Sequence, residues 1–298
     1  MNFLITGATG YIGRTLCKQL FEKNHHITAL TRDPQRAPSL IPDASISFVS
    51  SLSEIGDDSI VDVIVNLSGE PILFKRWTPQ RKKELEDSRI GVTQDIIELV
   101  RRLNKKPATL ISGSAVGYYG NRGDRKLTEV SHGNEDFGHR LCAAWEGTAL
   151  RVKAYGVRVC IVRTGVVIGR DGGFMQGMLT LFKFGLGAKI GSGSQWMSWI
   201  HRDDLIAVIM RLIEDTNISG IVNATAPLPV TNEYFSNLLG KVLRRPVLFR
   251  APAWLLEMFL GENAEVLLGG QRVLPKVLED AGFEFKYPNL ESALRSVV

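Results

Sequence analysis

The chain has 298 residues, of which 44% are hydrophobic and 22% are charged. It is therefore too long and too apolar to be a disulfide-stapled peptide or a disordered tail, and it must bury a large core. Lys and Arg number 36 and Asp and Glu number 31, which gives a net charge of +5. Because the basic residues are scattered and alternate with apolar residues, they do not predict a nucleic-acid-binding surface.

The cysteines and the hydropathy pattern predict the compartment. The chain has three cysteines, Cys17, Cys142 and Cys160. An odd number favours a reducing compartment, and their spacing argues against a structural metal site. The first residues lack a basic segment, and no window approaches about 18 consecutive apolar residues. We therefore expect a cytoplasmic protein with no membrane segment and no bound metal.

Short β-branched runs alternate with segments of helical period along the first 224 residues. The predicted strands are 2–6, 26–31, 46–49, 61–66, 110–113, 157–163 and 221–224, and the predicted helices are 11–23, 78–103, 137–155 and 203–215. Repeated strand–helix order predicts an α/β fold, a Rossmann-type doubly wound parallel sheet with helices on both faces. Such a sheet binds ligands beyond the carboxyl ends of its strands.

The composition changes after Gly169, where closely spaced glycines mark a loop-rich excursion that ends near Trp199. After Pro229 the chain becomes helical again. We predict a cofactor-binding Rossmann domain made of 1–170 plus 201–224. Residues 171–200 plus 225–298 are predicted to form a small, mainly helical C-terminal lobe that closes the substrate side of the cleft.

The most informative motif joins the first strand to the first helix, with the sequence Gly7-Ala8-Thr9-Gly10-Tyr11-Ile12-Gly13. Gly7 permits a tight turn, Gly10 lets a pyrophosphate approach the backbone, and Gly13 permits close packing of helix and strand. The start of the helix offers unpaired N–H groups and the positive end of its dipole. The motif therefore predicts a dinucleotide cofactor.

The end of the second strand discriminates between the two nicotinamide cofactors. It has the sequence Thr31-Arg32-Asp33, whereas a site for NAD has Asp or Glu at the ribose 2′-hydroxyl. A guanidinium at Arg32 suits a 2′-phosphate and predicts NADP(H). The alternative is that Arg32 is an ordinary surface residue and that Asp33 accepts the ribose hydroxyl.

The glycine motif resembles that of the extended short-chain dehydrogenase/reductases, the nucleotide-sugar epimerase type. Later segments are similar to landmarks of the same family: Val65–Gly69, Ser112-Gly113-Ser114 with Tyr119-Gly120, Arg163–Val167 and Trp199–Asp204. A narrower group, the YfcH-like atypical epimerase-family proteins, shares Asn66–Ile72, Arg76-Trp77 and Trp145-Glu146. The resemblance implies further cofactor contacts at Leu67, Ser68, Gly69, Glu84, Arg89, Arg163 and Val167. Arg89 stands where many members have asparagine, and it would hold a cofactor phosphate or ribose, or pair with Glu84.

The chain departs from the family at the catalytic centre. Members use Tyr-x-x-x-Lys, in which the lysine and the nicotinamide charge lower the pKa of the tyrosine. No such spacing occurs here, and the corresponding helix positions hold Gly138 and Cys142. Ser114 remains where the serine of the family orients the substrate. We expect the proton to come from Tyr118, Tyr119 or water.

Two structural roles are also expected. His201 stands before a helix that we expect Asp203 to cap.

Helices 78–103 and 137–155 correspond to the pair through which family members dimerise, so the resemblance implies a homodimer. Their apolar positions fit packing against the sheet equally well, which leaves a monomer open.

The sequence thus predicts an NADP(H)-dependent oxidoreductase or epimerase that acts on a small molecule. A sugar nucleotide is implied as substrate by family analogy alone. The rival hypothesis is a non-catalytic module in which NADP(H) occupancy reports redox state to a partner, and the missing tyrosine and lysine motivate it. We expect neither nucleic acid nor membrane as a partner.

Overall fold

A computed structural model describes residues 1–41, 46–73, 75–170 and 172–298 of the chain. Its strands are β1 (Asn2–Thr6), β2 (His26–Leu30), β3 (Ile46–Val49), β4 (Val63–Asn66), β5 (Thr109–Ala115), β6 (Lys126–Leu127), β7 (Arg158–Thr164), β8 (Val166–Ile168), β9 (Ala188–Ile190), β10 (Trp196–Met197), β11 (Trp199–His201), β12 (Gly220–Ala224), β13 (Val230–Thr231), β14 (Phe249–Ala251) and β15 (Arg272–Val273). Its helices are α1 (Tyr11–Glu22), α2 (Ala37–Leu40), α3 (Pro79–Glu86), α4 (Val92–Arg102), α5 (Phe137–Leu150), α6 (Gly173–Lys183), α7 (Arg202–Glu214), α8 (Asn232–Leu243), α9 (Ala253–Leu260), α10 (Glu265–Leu268), α11 (Lys276–Asp280) and α12 (Leu290–Val297).

The central sheet has seven strands in the order β3-β2-β1-β4-β5-β7-β12. Each neighbouring pair is parallel. The direction of the strand order reverses between β1 and β4, which creates the crevice at the carboxyl ends of the strands where such sheets bind ligands. The predicted Rossmann-type fold is confirmed, with strand ends that differ from the prediction by one or two residues.

Helices cover both faces of this sheet through two apolar clusters. One cluster joins Leu16 and Leu20 of α1 and Leu205 and Ile209 of α7 to the strands. The other cluster packs α4 and the segment after α5 on the opposite face, through side chains that include Ile96 and Val100. The strands between them are apolar on both faces, as a doubly covered parallel sheet requires.

The predicted helix 78–103 is two α-helices joined by one π-helical turn. Thr78 caps α3 by accepting a hydrogen bond from the Arg81 N–H, and the π-turn at Asp87–Gly91 leads into α4. A π-turn shifts the angular position of the residues that follow it and is frequent at functional sites. Arg89 lies in this turn.

Two expectations about the second half of the chain are wrong in detail. The excursion that we expected to be loop-rich contains the 11-residue helix α6, because Met175 and Phe182 give it a face that buries against the C-terminal lobe. Helix α7 is capped by His201 and not by Asp203. The Nδ1 atom of His201 accepts a 3.1 Å hydrogen bond from the Asp203 N–H, which places Asp203 inside the first turn.

The small lobe has its own apolar cluster, in which α6 packs with α8 and α12 around Phe235 and Leu294. This contact between 171–200 and the C-terminal helices supports the predicted division of the chain, which stays a prediction. Asp204 of α7 ties the lobe to the sheet by accepting hydrogen bonds from the Lys286 and Tyr287 N–H groups at 2.8 and 3.0 Å. Within the described ranges, every helix is too short or too polar to be a membrane-spanning segment.

Candidate active site

The turn between β1 and α1 is built so closely that only glycine fits at two positions. Gly7 has a φ of +71°, and a Cβ on Gly13 would lie 2.2 Å from the Gly7 carbonyl oxygen. Gly10 begins the helix without a side-chain cap, and a Cβ there would lie 3.1 Å from the same oxygen. The turn thus exposes the backbone N–H groups of a 12-residue helix toward the crevice, as a pyrophosphate requires.

The other side of the crevice is formed by the segment after β4. A Cβ on Gly7 would lie 2.5 Å from the Leu67 carbonyl oxygen, which shows how closely the two segments approach. Asn66 braces them: its Oδ1 accepts a 2.6 Å hydrogen bond from Thr6 Oγ1 and a 3.3 Å one from the Ser68 N–H. Leu67, Ser68 and the following Gly69 therefore border the glycine turn, where the resemblance places cofactor contacts.

Arg89 is a largely buried cation beside this border. Its Nη2 donates to the Glu70 carbonyl oxygen at 2.9 Å and its Nη1 to the Leu85 carbonyl oxygen at 3.1 Å. A Cβ on Gly69 would lie 3.1 Å from the guanidinium carbon. Burial lowers the pKa of Arg89, and within the described residues it forms no ion pair. A buried guanidinium that donates to two carbonyl oxygens and to the Ser88 hydroxyl is suited to bind an anionic or hydroxyl-bearing ligand.

The alternative pairing of Arg89 with Glu84 is wrong. Glu84 is half-exposed and instead accepts a 2.9 Å hydrogen bond from Arg81, which is three residues earlier on the same side of α3. Glu84 ends a chain of ion pairs that starts at Arg32. Nη1 of Arg32 lies 2.6 Å from Glu70, and Arg81 lies 3.6 Å from the other Glu70 oxygen.

The Arg32 side chain is 92% exposed at the end of β2 and touches the protein through Glu70. Burial acts to raise the pKa of Glu70. The hydrogen bond and the charge of Arg32 outweigh it and hold this pKa below its ordinary value. The Asp33 carboxylate already has a partner within the protein, because its Oδ1 accepts a 3.0 Å hydrogen bond from the Arg36 N–H. Thr31 is buried, and its Oγ1 accepts a 3.3 Å hydrogen bond from the Asp33 N–H. This geometry leaves the Arg32 guanidinium as an exposed charge at the end of β2, where the sequence predicts the 2′-phosphate of the cofactor.

A buried charge network lies below the expected catalytic centre. Ser114 donates a 2.6 Å hydrogen bond to Oε1 of Glu146. The Arg163 guanidinium donates to both oxygens of the same carboxylate, from Nε to Oε1 at 2.8 Å and from Nη2 to Oε2 at 2.7 Å. The Arg163 and Glu146 side chains are 1% and 6% exposed. Arg163, which the resemblance assigned to the cofactor, is thus committed to a two-pronged ion pair with Glu146.

The two candidate tyrosines belong to this network rather than to the cleft. Tyr119 is fully buried, and its hydroxyl lies 2.7 Å from Asn223 Oδ1 and accepts a 3.0 Å hydrogen bond from Arg163. Burial raises the pKa of Tyr119. The ring of Tyr118 lies 3.4 Å from the Arg163 guanidinium carbon and packs against Tyr119. Neither tyrosine is among the described residues that line the cavity between β5, the start of α5 and the small lobe.

A cavity of about 300 Å³ opens between β5, the start of α5 and the small lobe. Gly138 and Cys142, which the resemblance aligns with the family's tyrosine and lysine, line it together with Val167 of β8. The Cys142 thiol lies against the Ser114 hydroxyl and the Ala115 backbone, and burial raises its pKa to about 11. The thiol is therefore neutral and provides no cation of the kind that lysine provides.

The remaining predicted residues take positions around the glycine turn. Ile12 packs on the core below the sheet edge, and Thr9 lies half-buried in the turn itself. The Tyr11 ring faces Arg202, whose guanidinium carbon is 5.3 Å from the ring centroid. Sequence reasoning did not single out Glu146, Glu70 or Asn223. An arginine in the middle of an apolar strand, as at Arg163, is the signal that a buried carboxylate partner exists.

Fold and glycine turn together define a Rossmann protein of the dinucleotide-binding type. The model of the NAD dependent epimerase/dehydratase family matches residues 3–224, and a domain of unknown function, DUF1731, matches 251–297. The chain therefore belongs to the NAD dependent epimerase/dehydratase family. It is 40% identical, over its whole length and 87% of the relative, to an Arabidopsis thaliana protein named epimerase family protein SDR39U1 homolog, chloroplastic. It is 38% identical to an epimerase family protein of Staphylococcus aureus, covering all of this chain and 99% of that one.

Solved structures agree with this assignment. The human epimerase family protein SDR39U1, solved with NADPH, superposes with a TM-score of 0.91 at 32% identity and covers 100% of this chain and 99% of its own. UDP-glucuronic acid 4-epimerase from Bacillus cereus, solved with NAD, gives a TM-score of 0.79 at 18% identity and covers 100% and 97%. The second likeness concerns the fold alone.

Proposed function

We propose that this protein is an NADP(H)-dependent oxidoreductase or epimerase of the atypical short-chain type. The observation that carries the proposal is the position of the Arg32 guanidinium. It stands exposed at the end of β2, on the same crevice as the glycine turn, while the neighbouring Asp33 carboxylate is used in a turn. The NADPH held by the human relative of the same fold supports the choice of cofactor.

The residues present fit the two phosphate regions of this cofactor. The glycine turn and the start of α1 offer N–H groups for the pyrophosphate, and the absence of side chains at Gly7 and Gly10 lets a ligand approach that backbone. Arg32 would bind the 2′-phosphate, and Leu67 to Gly69 with Arg89 would border the ribose. When bound, NADP(H) supplies hydride transfer at its nicotinamide ring.

Proton transfer would be handled by Ser114 and Glu146 in place of tyrosine and lysine. The Ser114 hydroxyl already donates to Glu146, so its remaining lone pair can accept the proton of a substrate hydroxyl while its own proton moves to the carboxylate. In the reverse direction the same two groups return the proton to the alkoxide oxygen. Arg163 orients Glu146 by binding both of its oxygens.

The test mixes NADPH-loaded protein with a panel of ketones, aldehydes and UDP-sugars and follows the loss of NADPH absorbance. Ser114→Ala is expected to lower any turnover by about 100-fold or more, the range for a lost general acid–base group. Ser236→Ala, the same truncation at a buried serine of α8 outside the cleft lining, is the matched control and is expected to keep the activity. Turnover that survives Ser114→Ala unchanged would refute the serine-centred site.

A second candidate, a non-catalytic NADP(H)-binding module, is favoured by one observation. Gly138 and Cys142, which the resemblance aligns with the family's catalytic pair, line the cleft, and neither residue carries a phenol or an ammonium. Tight NADPH binding with no turnover across the whole panel would favour this candidate. The cofactor would then act as a ligand whose occupancy a partner reads.

A further inference from the structure

The cleft beside the cofactor site is lined mainly by apolar side chains from both parts of the chain. Ile72 and Trp77 precede α3, Phe137 starts α5, Phe174 belongs to α6, and Met197 and Leu267 come from the small lobe. Its volume is about 300 Å³. This size suits a small molecule and lies at the lower end of the range for ligand cavities.

Three polar side chains of the lining already donate to or accept from the protein. Ser198 donates to the Gln271 carbonyl oxygen at 2.7 Å and accepts from the Val273 N–H at 2.9 Å. Asn232 accepts from the Ile190 N–H, and the Gln195 amide donates to two backbone carbonyl oxygens. These groups shape the cleft and are not available as donors for a charged ligand.

The charges at the cleft are negative. Asp136 and Glu265 line it, whereas the described lining contains neither Arg nor Lys. The residues outside the described ranges, 42–45, 74 and 171, also include neither. The cations close by lie outside this lining: Arg163 is paired with Glu146, and Arg272 stacks on the Trp196 ring and pairs with Asp124 at 3.3 Å. Arg89, which lies near Cys142, donates to the Glu70 and Leu85 carbonyl oxygens.

This charge pattern disfavours the substrate that the family name suggests. A nucleoside diphosphate sugar would bring two negative charges into a cleft that has carboxylates and no cation among its described residues. Desolvating a diphosphate without a cationic partner is strongly unfavourable. Burying an uncharged apolar molecule against this lining is favourable in proportion to its area.

We propose that the cleft binds an uncharged, mainly apolar ketone, aldehyde or alcohol rather than a nucleoside diphosphate sugar. This inference rests on the proposed function, because it assigns the substrate class of the same NADP(H) site. The reacting oxygen of such a molecule would lie at the Ala115 and Cys142 side of the cleft, next to the buried Ser114 hydroxyl. The rest of the molecule would lie among Trp77, Phe137 and Phe174.

The test is ligand-observed NMR titration of the NADPH-loaded protein with acetophenone, benzylacetone, UDP-glucose and UDP-galactose. We expect both ketones to bind and neither UDP-sugar to bind or to displace them. Phe174→Ala should weaken both ketones by about tenfold, the effect of losing one buried aromatic contact. Val266→Asp, at a lining residue that is 41% exposed and therefore tolerant of substitution, should also weaken both. Leu228→Ala, an apolar truncation outside the lining, is the matched control and should change neither affinity.

Either of two results would overturn the inference: a UDP-sugar that binds and displaces the ketones, or the failure of both ketones to bind. The proposed function is checked separately, by calorimetric titration with NADPH before any ketone is added. The ketone titration is then repeated on nucleotide-free protein. The cleft is lined by protein residues, so ketone binding can be measured there without NADPH. Ketone binding without NADPH binding would contradict the proposed function, whereas NADPH binding without ketone binding would contradict the substrate class alone.

Discussion

The Ser114 hydroxyl donates a 2.6 Å hydrogen bond to Glu146, and both side chains are buried below the cleft. Arg163 binds both oxygens of the same carboxylate. The three side chains come from β5, α5 and β7, so they also tie a helix to two strands of the sheet. The arrangement places a carboxylate next to the cleft, one hydroxyl group away from the Cys142 thiol in its lining.

Glu146 and Arg163 should depend strongly on each other for stability. Glu146→Gln leaves the buried Arg163 without a counter-charge, and the free energy of unfolding is expected to fall by about 3–5 kcal/mol. The double variant Glu146→Gln, Arg163→Met removes both charges and should lose much less than the sum of the two single losses. Urea denaturation of the four proteins measures this coupling. Additive losses would show that the two side chains do not interact as described.

The glycine turn provides a prediction with a control in the same chain. Gly13→Ala places a Cβ 2.2 Å from the Gly7 carbonyl oxygen, so the turn must open and NADPH affinity should fall by at least about tenfold. Gly147→Ala, in the middle of α5 with no atom near its added Cβ, should raise the free energy of unfolding by about 0.5–1 kcal/mol. Thermal unfolding and calorimetry measure both effects. An unchanged NADPH affinity in Gly13→Ala would argue against the turn as the pyrophosphate site.

The Arg32–Glu70 ion pair should compete with the cofactor. The 2′-phosphate would take over Arg32, and the Glu70 carboxylate would repel it. Glu70→Gln is therefore expected to raise NADPH affinity by about two- to fivefold, the effect of one exposed ion pair, and to leave NADH affinity unchanged. Glu86→Gln, an exposed glutamate at the end of α3, is the control. A fall in NADPH affinity in Glu70→Gln would mean that the carboxylate positions Arg32 instead of opposing the cofactor.

His201 should make the protein less stable in mild acid. Burial, together with the charges of Arg202 and Lys286, lowers its pKa to about 4 against the attraction of Asp203. The unfolded chain takes up this proton near pH 6.5, so stability is present above that pH and is lost as the pH falls toward 4. The loss attributable to His201 is about 3 kcal/mol, from 1.36 kcal/mol per pKa unit.

The variant His201→Asn isolates this effect, since asparagine also caps helices but does not titrate. Burial raises the pKa of Asp204, so the protonation of this carboxyl stabilises the folded protein as the pH falls. This contribution is the same in the native protein and in the variant. Denaturant unfolding between pH 7 and about pH 4 should therefore show a steeper loss in the native protein than in the variant. Parallel curves would rule out His201 as the source.

The sheet and its ligand edge were predictable because the apolar β-branched runs and the glycine turn are local in sequence. The catalytic surroundings were not. Ser114 and Glu146 are 32 residues apart, and their contact depends on how α5 packs on β5. The helix α6 was obscured by the glycines around it, since its stability comes from burying Met175 and Phe182 against another part of the chain.

The alternative in which Glu84 pairs with Arg89 was wrong for a simpler reason. On a regular α-helix two residues five apart differ by about 140° in angle, so the spacing does not favour this pair. Arg81, three residues before Glu84, lies on the same side of α3 and pairs with the carboxylate instead.

The central claim is that this protein binds NADP(H) through Arg32. The direct test is calorimetric titration of nucleotide-stripped protein with NADPH and NADH, on the native protein, on Arg32→Ala and on the exposed neighbour variant Arg36→Ala. We predict a preference for NADPH that Arg32→Ala lowers by about 1.5–3 kcal/mol, the contribution of a hydrogen bond to a charged group, and that Arg36→Ala preserves. Equal binding of NADPH and NADH by the native protein, or no binding of either, would contradict the claim.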